Sequence, residues 1–350
     1  MRRMDDGLGF VLRYENVAWY EDGLVKILDR RIYPTKVEFV TCRSHKEVAQ
    51  AIRDMVTQSA GPYTAAGMGM ALAAYESRSM AKDEMWDYLK KAAHRLSHAR
   101  PTTANRMSQV TEGCLKVAKK AMERGQRVDE KIFEYTIESL NRRYSIMEKV
   151  GEYLVDMFPD KGNIMTQCFG ETIVGMMLRV AKRRNKDISL YVPETRPYFQ
   201  GARLTASVAH DQGFDTTVIT DNMPAVVMET KNIDLFTSAA DIICLDGHIT
   251  NKVGTYQIAI AAKYHGIPYF VTGIPDRDHD DVSTVIIEER DPQYVLEARG
   301  VKNTLEGVKG YYPSFDITPP HLISGVVTDK GIFAPYDLHR YFETDVVQFY

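Results

Sequence analysis

The sequence predicts an α/β protein in which a mainly helical N-terminal domain with a small β element precedes a parallel, doubly wound sheet. Two different spacings of apolar residues along the chain predict this class. Apolar residues recur at every third or fourth position between residues 44 and 157, whereas short β-rich runs alternate with helical runs after residue 162. Strands that alternate with helices form parallel sheets with helices on both faces, so we expect the second half to be doubly wound.

The N-terminal domain is predicted to span residues 1–158. Its first part is β-rich, and Glu21-Asp22-Gly23 has the composition of a turn between two strands. The predicted strands lie within residues 12–20, 24–34 and 36–42. The predicted helices lie within residues 45–56, 84–96, 105–122 and 130–157. A proline and a glycine in residues 158–162 then interrupt the helical pattern, which places the domain boundary after residue 158.

The second domain is predicted to span residues 159–350 and to contain a Rossmann-like sheet. Five strands are expected, each followed by a helical run, and no short internal repeat interrupts them. The predicted strands are residues 163–168, 189–194, 216–221, 241–247 and 268–273.

Composition excludes several classes of protein. With 44 basic and 47 acidic residues mixed along the chain, the net charge is −3, which argues against a broad nucleic-acid surface. Four scattered cysteines without a CxxC pattern, and a first segment without an apolar stretch, favour a reduced, cytoplasmic protein. The longest uncharged stretch, residues 57–75, holds three glycines and a proline, so we expect no membrane span.

Polar side chains gather where the predicted parallel strands end. In open α/β sheets the ligand lies beyond the carboxyl ends of the strands, so the sequence predicts an active site there. The residues that it brings to this edge are Cys168, Arg196, Gln200, Asp246, His248, Asn251 and Lys252. Cys168 also precedes a predicted helix, whose N-terminus is expected to lower the pKa of the thiol.

Each of these residues also has a structural interpretation. Cys168 is compatible with a packed core cysteine, and His248 with an exposed loop histidine. Asn251 and Lys252 fit either an ordinary helix N-cap region or an anion site at a helix N-terminus.

Three further patterns are weaker. His94 and His98 have the helical spacing of a metal-ligand pair but lack an evident third ligand. Residues 276–281 form an acidic loop that suits solvent better than a cation, and residues 61–69 resemble a phosphate-binding loop only loosely. We therefore expect neither a metal nor an organic cofactor.

Several long motifs resemble those of the S-methyl-5-thioribose-1-phosphate isomerase family. Its wider superfamily includes ribose-1,5-bisphosphate isomerases and the regulatory subunits of the eukaryotic guanine-nucleotide exchange factor for translation initiation. The resemblance covers nearly the whole chain. The matching segments are residues 99–105, 194–205, 220–223, 251–256, 287–292 and 315–319.

The resemblance implies an aldose–ketose isomerase that acts on a pentose 1-phosphate, with S-methyl-5-thioribose 1-phosphate as the expected substrate. It implies a homodimer and no organic cofactor. Cys168 occupies the position of the family's catalytic thiol, and an aspartate after the fourth strand is the expected second acid/base group. The implied substrate-binding positions are Arg100, Gln200, Asn251 and Lys252, with Gly61 and Arg196 in neighbouring motifs.

Two positions depart from the family pattern. Asp246-Gly247-His248 stands where the family has Asn-Gly-Asp, so an imidazole replaces the expected carboxylate, with Asp246 placed to orient it. Residues 59–62 read Ser-Ala-Gly-Pro where the family has Arg-Gly-Ala-Pro, and Arg277 is a candidate for the missing cation. These departures leave two alternatives open: an isomerase of 5-deoxyribose 1-phosphate or ribose 1,5-bisphosphate, and a regulatory homologue that binds a sugar phosphate or nucleotide without catalysis.

Overall fold

The computed structural model describes residues 3–100 and 104–343. Among these residues the chain divides into two compact units, one up to Ile146 and the other from Met147 onward. This division falls inside a long helix that ends at Asp156, and the boundary predicted after residue 158 lies in the loop beyond that end. Residues 101–103 of the motif at 99–105 lie outside the described residues.

The first unit opens with a small antiparallel sheet. Its strands are β1 (Trp19–Glu21), β2 (Leu24–Leu28) and β3 (Phe39–Cys42). The predicted turn is confirmed, because Glu21 pairs with Leu24 across Asp22 and Gly23. Both turn residues have positive φ, at 49° and 74°, as two-residue hairpin turns of the favoured hand require. Part of the first predicted strand is instead helical, with a 3-10 turn at Phe10–Leu12 and α1 at Tyr14–Val17.

Five longer helices follow, and they confirm the four predicted helical patterns. They are α2 (His45–Arg53), α3 (Gly61–Glu76), α4 (Lys82–Ser97), α5 (Ala104–Glu123) and α6 (Val128–Asp156). The uncharged stretch is α3, which is buried over almost its whole length. Its glycines permit this, since a Cβ at Gly67 would lie 2.7 Å from the Thr136 side chain and one at Gly69 2.9 Å from that of Leu96. No helix in the described residues is long and apolar enough to cross a membrane.

The second unit contains a seven-stranded sheet and a smaller antiparallel sheet. The large sheet has the order β15-β14-β10-β7-β4-β5-β6, and every neighbouring pair is parallel except β14 with β15. The small sheet has the order β13-β9-β8, and β11 pairs with β12 in a separate hairpin.

The bounds of the elements in the second unit are as follows. The strands are β4 (Lys161–Met165), β5 (Asp187–Pro193), β6 (Thr216–Ile219), β7 (Ile233–Ala239), β8 (Ile242–Ile243), β9 (Ile249–Lys252), β10 (Tyr269–Thr272), β11 (Glu297–Ala298), β12 (Val301–Lys302), β13 (Phe315–Thr318), β14 (Gly325–Thr328) and β15 (Gly331–Phe333). The helices are α7 (Thr172–Arg183), α8 (Ala206–Asp211), α9 (Pro224–Thr230), α10 (Thr255–Tyr264) and α11 (Gln293–Leu296).

The predicted Rossmann-like architecture is confirmed, but the prediction of its fourth strand is wrong. The sheet takes β7 at this place, between β4 and β10. The stretch predicted as a sheet strand, residues 241–247, supplies only β8, which pairs with β9 in the small sheet. Residues 233–247 contain two apolar runs, and only β7 pairs with strands on both of its sides. Two further strands of the large sheet, β14 and β15, were not expected.

The small sheet is anchored on the core of the large one. Ile243 of β8 and Ile249 of β9 are buried in the same apolar cluster as Met165 of β4 and Phe236 of β7. Thr250 and Lys252 alternate with the core-facing Ile249 along β9, so they project to the opposite face of the small sheet. That face carries the candidate site.

Candidate active site

Cys168 lies three residues beyond the end of β4 in a left-handed backbone conformation, with φ of 58°. Two threonines hold it there. The backbone N–H of Cys168 donates to Thr195 Oγ1 at 3.2 Å, and the Thr205 hydroxyl donates to the Cys168 carbonyl. Since left-handed φ is unfavourable for a residue with a Cβ, this geometry depends on its partners.

The end of β5 forms the support for these threonines. The N–H groups of Thr195 and Arg196 both donate to the Asp221 carboxylate, at 2.8 and 2.6 Å. The turn that follows passes so close to β5 that a Cβ at Gly201 would lie 1.9 Å from the Pro193 carbonyl oxygen. Glycine is therefore required at residue 201, and the ends of β5 and β6 are tied together beside Cys168.

Lys252 places a buried cation in this part of the second unit. It ends β9 and is only 3% exposed. Its Nζ donates to the Tyr312 hydroxyl at 2.6 Å and lies 4.8 Å from the centre of that ring. The rings of Tyr198 and Phe315 are 5.5 and 5.9 Å away, so aromatic faces surround the ammonium group.

A second buried cation lies on the same aromatic side chains. The Arg290 guanidinium lies 5.8 Å from the Tyr198 ring and 5.9 Å from the Phe315 ring. Its Nε pairs with Glu288 at 2.8 Å. The charge of Arg290 is therefore paired, and Lys252 is the cation of this group that suits an anionic substrate.

Burial raises the pKa of Cys168 to about 12. The positive charge of Lys252 acts in the opposite direction, whereas the carboxylates of Asp221 and Asp241 raise the pKa further. The expectation that a helix N-terminus lowers the pKa of this thiol is wrong, because α7 begins only at Thr172 and desolvation dominates.

Asn251 and Lys252 lie on a strand, so their interpretation as a helix N-cap region is wrong. The cap of α10 comes from Asp316, which accepts the N–H of Gly254 at 2.6 Å and that of Tyr256 at 3.2 Å. Asn251 Nδ2 donates to Thr255 Oγ1 at 3.0 Å, which ties β9 to the first residue of α10. Burial raises the pKa of Asp316 to about 6 in spite of these donors and of Lys252.

His248 and Asp246 form a hydrogen-bonded pair in the turn between β8 and β9. Asp246 Oδ2 lies 2.9 Å from His248 Nδ1, and Oδ1 accepts the His248 backbone N–H at 3.0 Å. The N–H of Val282 also donates to Asp246, at 3.1 Å. A carboxylate only accepts, so Nδ1 carries a proton and Nε2 is the ring atom left for proton exchange.

Thr250 and Lys252 share one face of β9 by strand alternation, and His248 lies one residue before the strand begins. The small sheet thus presents a basic end near Cys168 and an imidazole–carboxylate end at the β8–β9 turn. That Cys168 and His248 face each other across one substrate stays a prediction.

Several polar atoms near the strand ends are buried without a hydrogen-bond partner in the described chain, including one of the predicted sugar-binding residue Gln200. Among the described residues, Gln200 Oε1 makes no hydrogen bond, and the same holds for Gln167 Oε1, Thr166 Oγ1 and Ser314 Oγ. Buried polar atoms are normally paired, so an unpaired set near the strand ends is typical of a site for a polar ligand. The unpaired oxygen of Gln200 fits its predicted role in sugar binding.

Arg196 is largely engaged by the protein itself. Its Nη2 contacts the carbonyls of Tyr294, Val295 and Glu297, the last at 2.8 Å. Its Nη1 is buried without a partner among the described residues. Arg277, the candidate for the missing cation, lies over the Phe342 ring at 4.5 Å.

Gly61 and Arg100 belong to the first unit. Gly61 begins α3, where a Cβ would lie 1.9 Å from Thr57 Oγ1. Arg100 follows α4 at the edge of the undescribed residues 101–103. Their roles in substrate binding stay predictions.

The weaker patterns have structural roles in the described residues. The His94 and His98 rings stack at 4.1 Å, and no group of three His, Cys, Asp or Glu side chains there is arranged to hold a metal. In the acidic loop, Asp276 accepts the Ile243 N–H at 3.0 Å. This loop therefore braces the β8–β9 turn.

Sequence reasoning missed Tyr312, Arg290 and Asp241 as parts of the site, whereas it placed Asp221 at the end of the third predicted strand. Arg290 lies in a matched motif, and Tyr312 stands three residues before another. Their contacts to Lys252 and Cys168 join distant parts of the chain, which no local pattern reports.

Comparisons with known proteins agree with this architecture. The sequence matches the Initiation factor 2 subunit family over residues 58–335. Methylthioribose-1-phosphate isomerase 1 of Pseudothermotoga lettingae is 34% identical over 330 residues, which cover 91% of this chain and 94% of that protein.

Two solved structures are also similar. The 5-methylthioribose 1-phosphate isomerase of Pyrococcus horikoshii has a TM-score of 0.81 at 29% identity, with 96% of this chain and 99% of that chain covered. Subunit delta of translation initiation factor eIF-2B from A. fulgidus has a TM-score of 0.79 at 32% identity, with 91% and 96% covered. The chain belongs to the initiation factor 2 subunit family, together with the methylthioribose-1-phosphate isomerases.

Proposed function

We propose that this protein is an aldose–ketose isomerase that converts S-methyl-5-thioribose 1-phosphate to the corresponding ribulose 1-phosphate. The observation that carries the proposal is a thiol on which a buried ammonium group acts electrostatically, Cys168 and Lys252, in a chain 34% identical to a methylthioribose-1-phosphate isomerase over nearly its whole length. An isomerase of this kind moves a proton between two carbons, and a thiol with an adjacent cation is suited to that task.

Cys168 is proposed to handle the proton at carbon. The reaction removes the proton from C2 and places one on C1, so one group must serve as thiolate and as thiol within a cycle. Burial keeps the resting group protonated, since the pKa of Cys168 is raised to about 12, so the thiol must first release its proton to solvent. The thiolate then takes the C2 proton, and the thiol so formed returns it to C1, which restores the thiolate. The Lys252 ammonium stabilises the thiolate when it forms.

His248 is proposed to handle protons at oxygen. The phosphorylated anomeric oxygen prevents simple ring opening, so an acid must protonate the ring oxygen and a base must accept the proton of the C2 hydroxyl. Imidazole serves as acid or base near neutral pH. Asp246 accepts from Nδ1 at 2.9 Å and thereby orients Nε2 for this exchange.

Substrate binding is proposed to involve the positions that the family resemblance implies. Gln200 and Asn251 would contact the sugar, and Lys252 the sugar or the phosphate. Arg100, Gly61 and Arg196 complete the proposed set. The buried ammonium group of Lys252 supports the assignment of an anionic substrate.

A second candidate is an isomerase of another pentose 1-phosphate, such as 5-deoxyribose 1-phosphate or ribose 1,5-bisphosphate. The imidazole at residue 248 and the absence of arginine from residues 59–62 favour a changed substrate. We further propose that the protein acts as a cytoplasmic homodimer in methionine salvage, which the family resemblance supports.

The test is incubation of the purified full chain with each of the three pentose 1-phosphates, followed by NMR detection of the ketose. We expect turnover of S-methyl-5-thioribose 1-phosphate, and its absence from the Cys168→Ser variant. Turnover of another substrate alone would select the second candidate. Binding without turnover of any of the three would contradict the enzyme and support a non-catalytic regulatory homologue.

A further inference from the structure

Tyr312 is a buried residue to which the proposed reaction assigns no task. It is 3% exposed, and its hydroxyl accepts from Lys252 Nζ at 2.6 Å. The two residues are 60 positions apart in sequence, so only the fold joins them. Tyr312 therefore supplies both a hydrogen-bond acceptor and a ring face to a cation that water barely reaches.

A buried ammonium group needs such partners to stay charged and in place. Burial without acceptors disfavours a charged lysine and drives it toward neutrality or toward solvent. The faces of the Tyr198 and Phe315 rings lie 5.5 and 5.9 Å from Nζ. Among these three rings, Tyr312 lies nearest and contributes the hydroxyl oxygen.

The position of Lys252 matters because of the charges around Cys168. Asp221, at the end of β6, and Asp241, before β8, both oppose the thiolate. Lys252 is the cation that favours it. Arg290 and Tyr198 act electrostatically on Tyr312, and Asp316 acts on Lys252 from β13.

We propose that Tyr312 is a positioning residue that holds the Lys252 ammonium beside Cys168 and so makes the thiolate of Cys168 available. The importance of that thiolate for turnover rests on the proposed function. The positioning itself is a property of the protein without substrate, and it is tested there.

The experiment measures the rate at which iodoacetamide alkylates Cys168 at a fixed, mildly alkaline pH, with the site identified by mass spectrometry. Cys168 is half-buried, whereas Cys42, Cys114 and Cys244 are buried. Only the thiolate reacts, so the rate follows the thiolate fraction. Tyr312→Phe is expected to slow alkylation by roughly 10-fold, the size of one lost buried hydrogen bond.

Tyr311→Phe is the matched control. It removes the same atom from the neighbouring residue, whose side chain is 70% exposed, and it should react at the wild-type rate. Tyr312→Gln keeps an oxygen acceptor and should recover part of the lost rate. It also provides a second variant if Tyr312→Phe does not fold.

The Lys252→Met background separates positioning from a general structural effect. If Tyr312 acts through Lys252, Tyr312→Phe should slow alkylation no further once Lys252 is replaced. Equal slowing in both backgrounds, or a wild-type rate for Tyr312→Phe alone, would overturn the proposal. Because alkylation needs no substrate, this result stands whether or not any pentose 1-phosphate is isomerised.

Discussion

The two proposed acid/base groups occupy different electrostatic surroundings. Cys168 is half-buried, and the charge of Lys252, whose ammonium group lies among aromatic rings, acts on it. His248 is 27% exposed and bonded to the carboxylate of Asp246, in a turn braced by an acidic loop. The carboxylates of Asp221 and Asp241 also act on Cys168, so a cation offsets nearby carboxylates at the first group, whereas carboxylates predominate around the second.

This difference suits two kinds of proton transfer. A thiolate that takes a proton from carbon needs a nearby positive charge, since burial alone keeps the thiol protonated. A group that exchanges protons with hydroxyls must return to its starting protonation state between cycles. Contact with solvent allows this. The contrast teaches that one catalytic pair can be built from a desolvated and a solvated partner.

Replacement of the thiol is the strongest test of the buried site. Cys168→Ser should lower kcat by ~100-fold or more, because a hydroxyl gives up its proton far less readily than a thiol. Steady-state assays on the full chain measure this. Cys42→Ala, on β3 of the first unit, is the control and should retain activity. Wild-type turnover by Cys168→Ser would remove the thiol from the mechanism.

Replacement of the imidazole tests the solvated site. His248→Ala should also lower kcat by ~100-fold, while His248→Asp, which introduces a carboxylate, should recover part of it. The control is His339→Ala, since His339 lies 3.4 Å from Asp337 in an exposed imidazole–carboxylate pair. Equal activity of His248→Ala and the control would rule out a catalytic role for His248.

A smaller effect is expected at the carboxylate that orients the imidazole. Asp246→Asn should lower kcat by roughly 10-fold, because an amide can donate to Nδ1 and favour the other tautomer. KM should change little if Asp246 does not contact substrate. Asp278→Asn is the control, because Asp278 lies in an exposed part of the acidic loop at residues 276–281. An equal loss of kcat in that variant would contradict an orienting role for Asp246.

The smallest effect concerns stability near the buried cation. Burial raises the pKa of Asp316 from 3.8 to about 6, so the folded state binds this proton more tightly than the unfolded state. Its contribution to the free energy of unfolding is present below pH 3.8 and is lost as the pH rises through about 6. Denaturant titrations across this range should show a flatter pH dependence for Asp316→Asn. An unchanged slope would show that Asp316 does not carry this dependence.

Much of the fold was predictable because its patterns are local. The β1–β2 turn, four helices and four of the five predicted sheet strands follow from residue periodicity and turn composition. The pairing of β7 was missed because two apolar runs adjoin within residues 233–247, and periodicity alone cannot rank them. The roles of Cys168 and His248 followed from motif position, and they stay predictions.

The sequence by itself determined most of the strands and helices, and it placed Cys168 and Gln200 beyond the ends of strands of the parallel sheet. Those outcomes depend on short-range spacing that each segment carries alone. Only the tertiary structure decided the environment of each group: the burial that keeps Cys168 protonated, and the contact of Lys252 with Tyr312. Desolvation and charge pairing arise from residues far apart in the chain, so they exist only once the segments have packed.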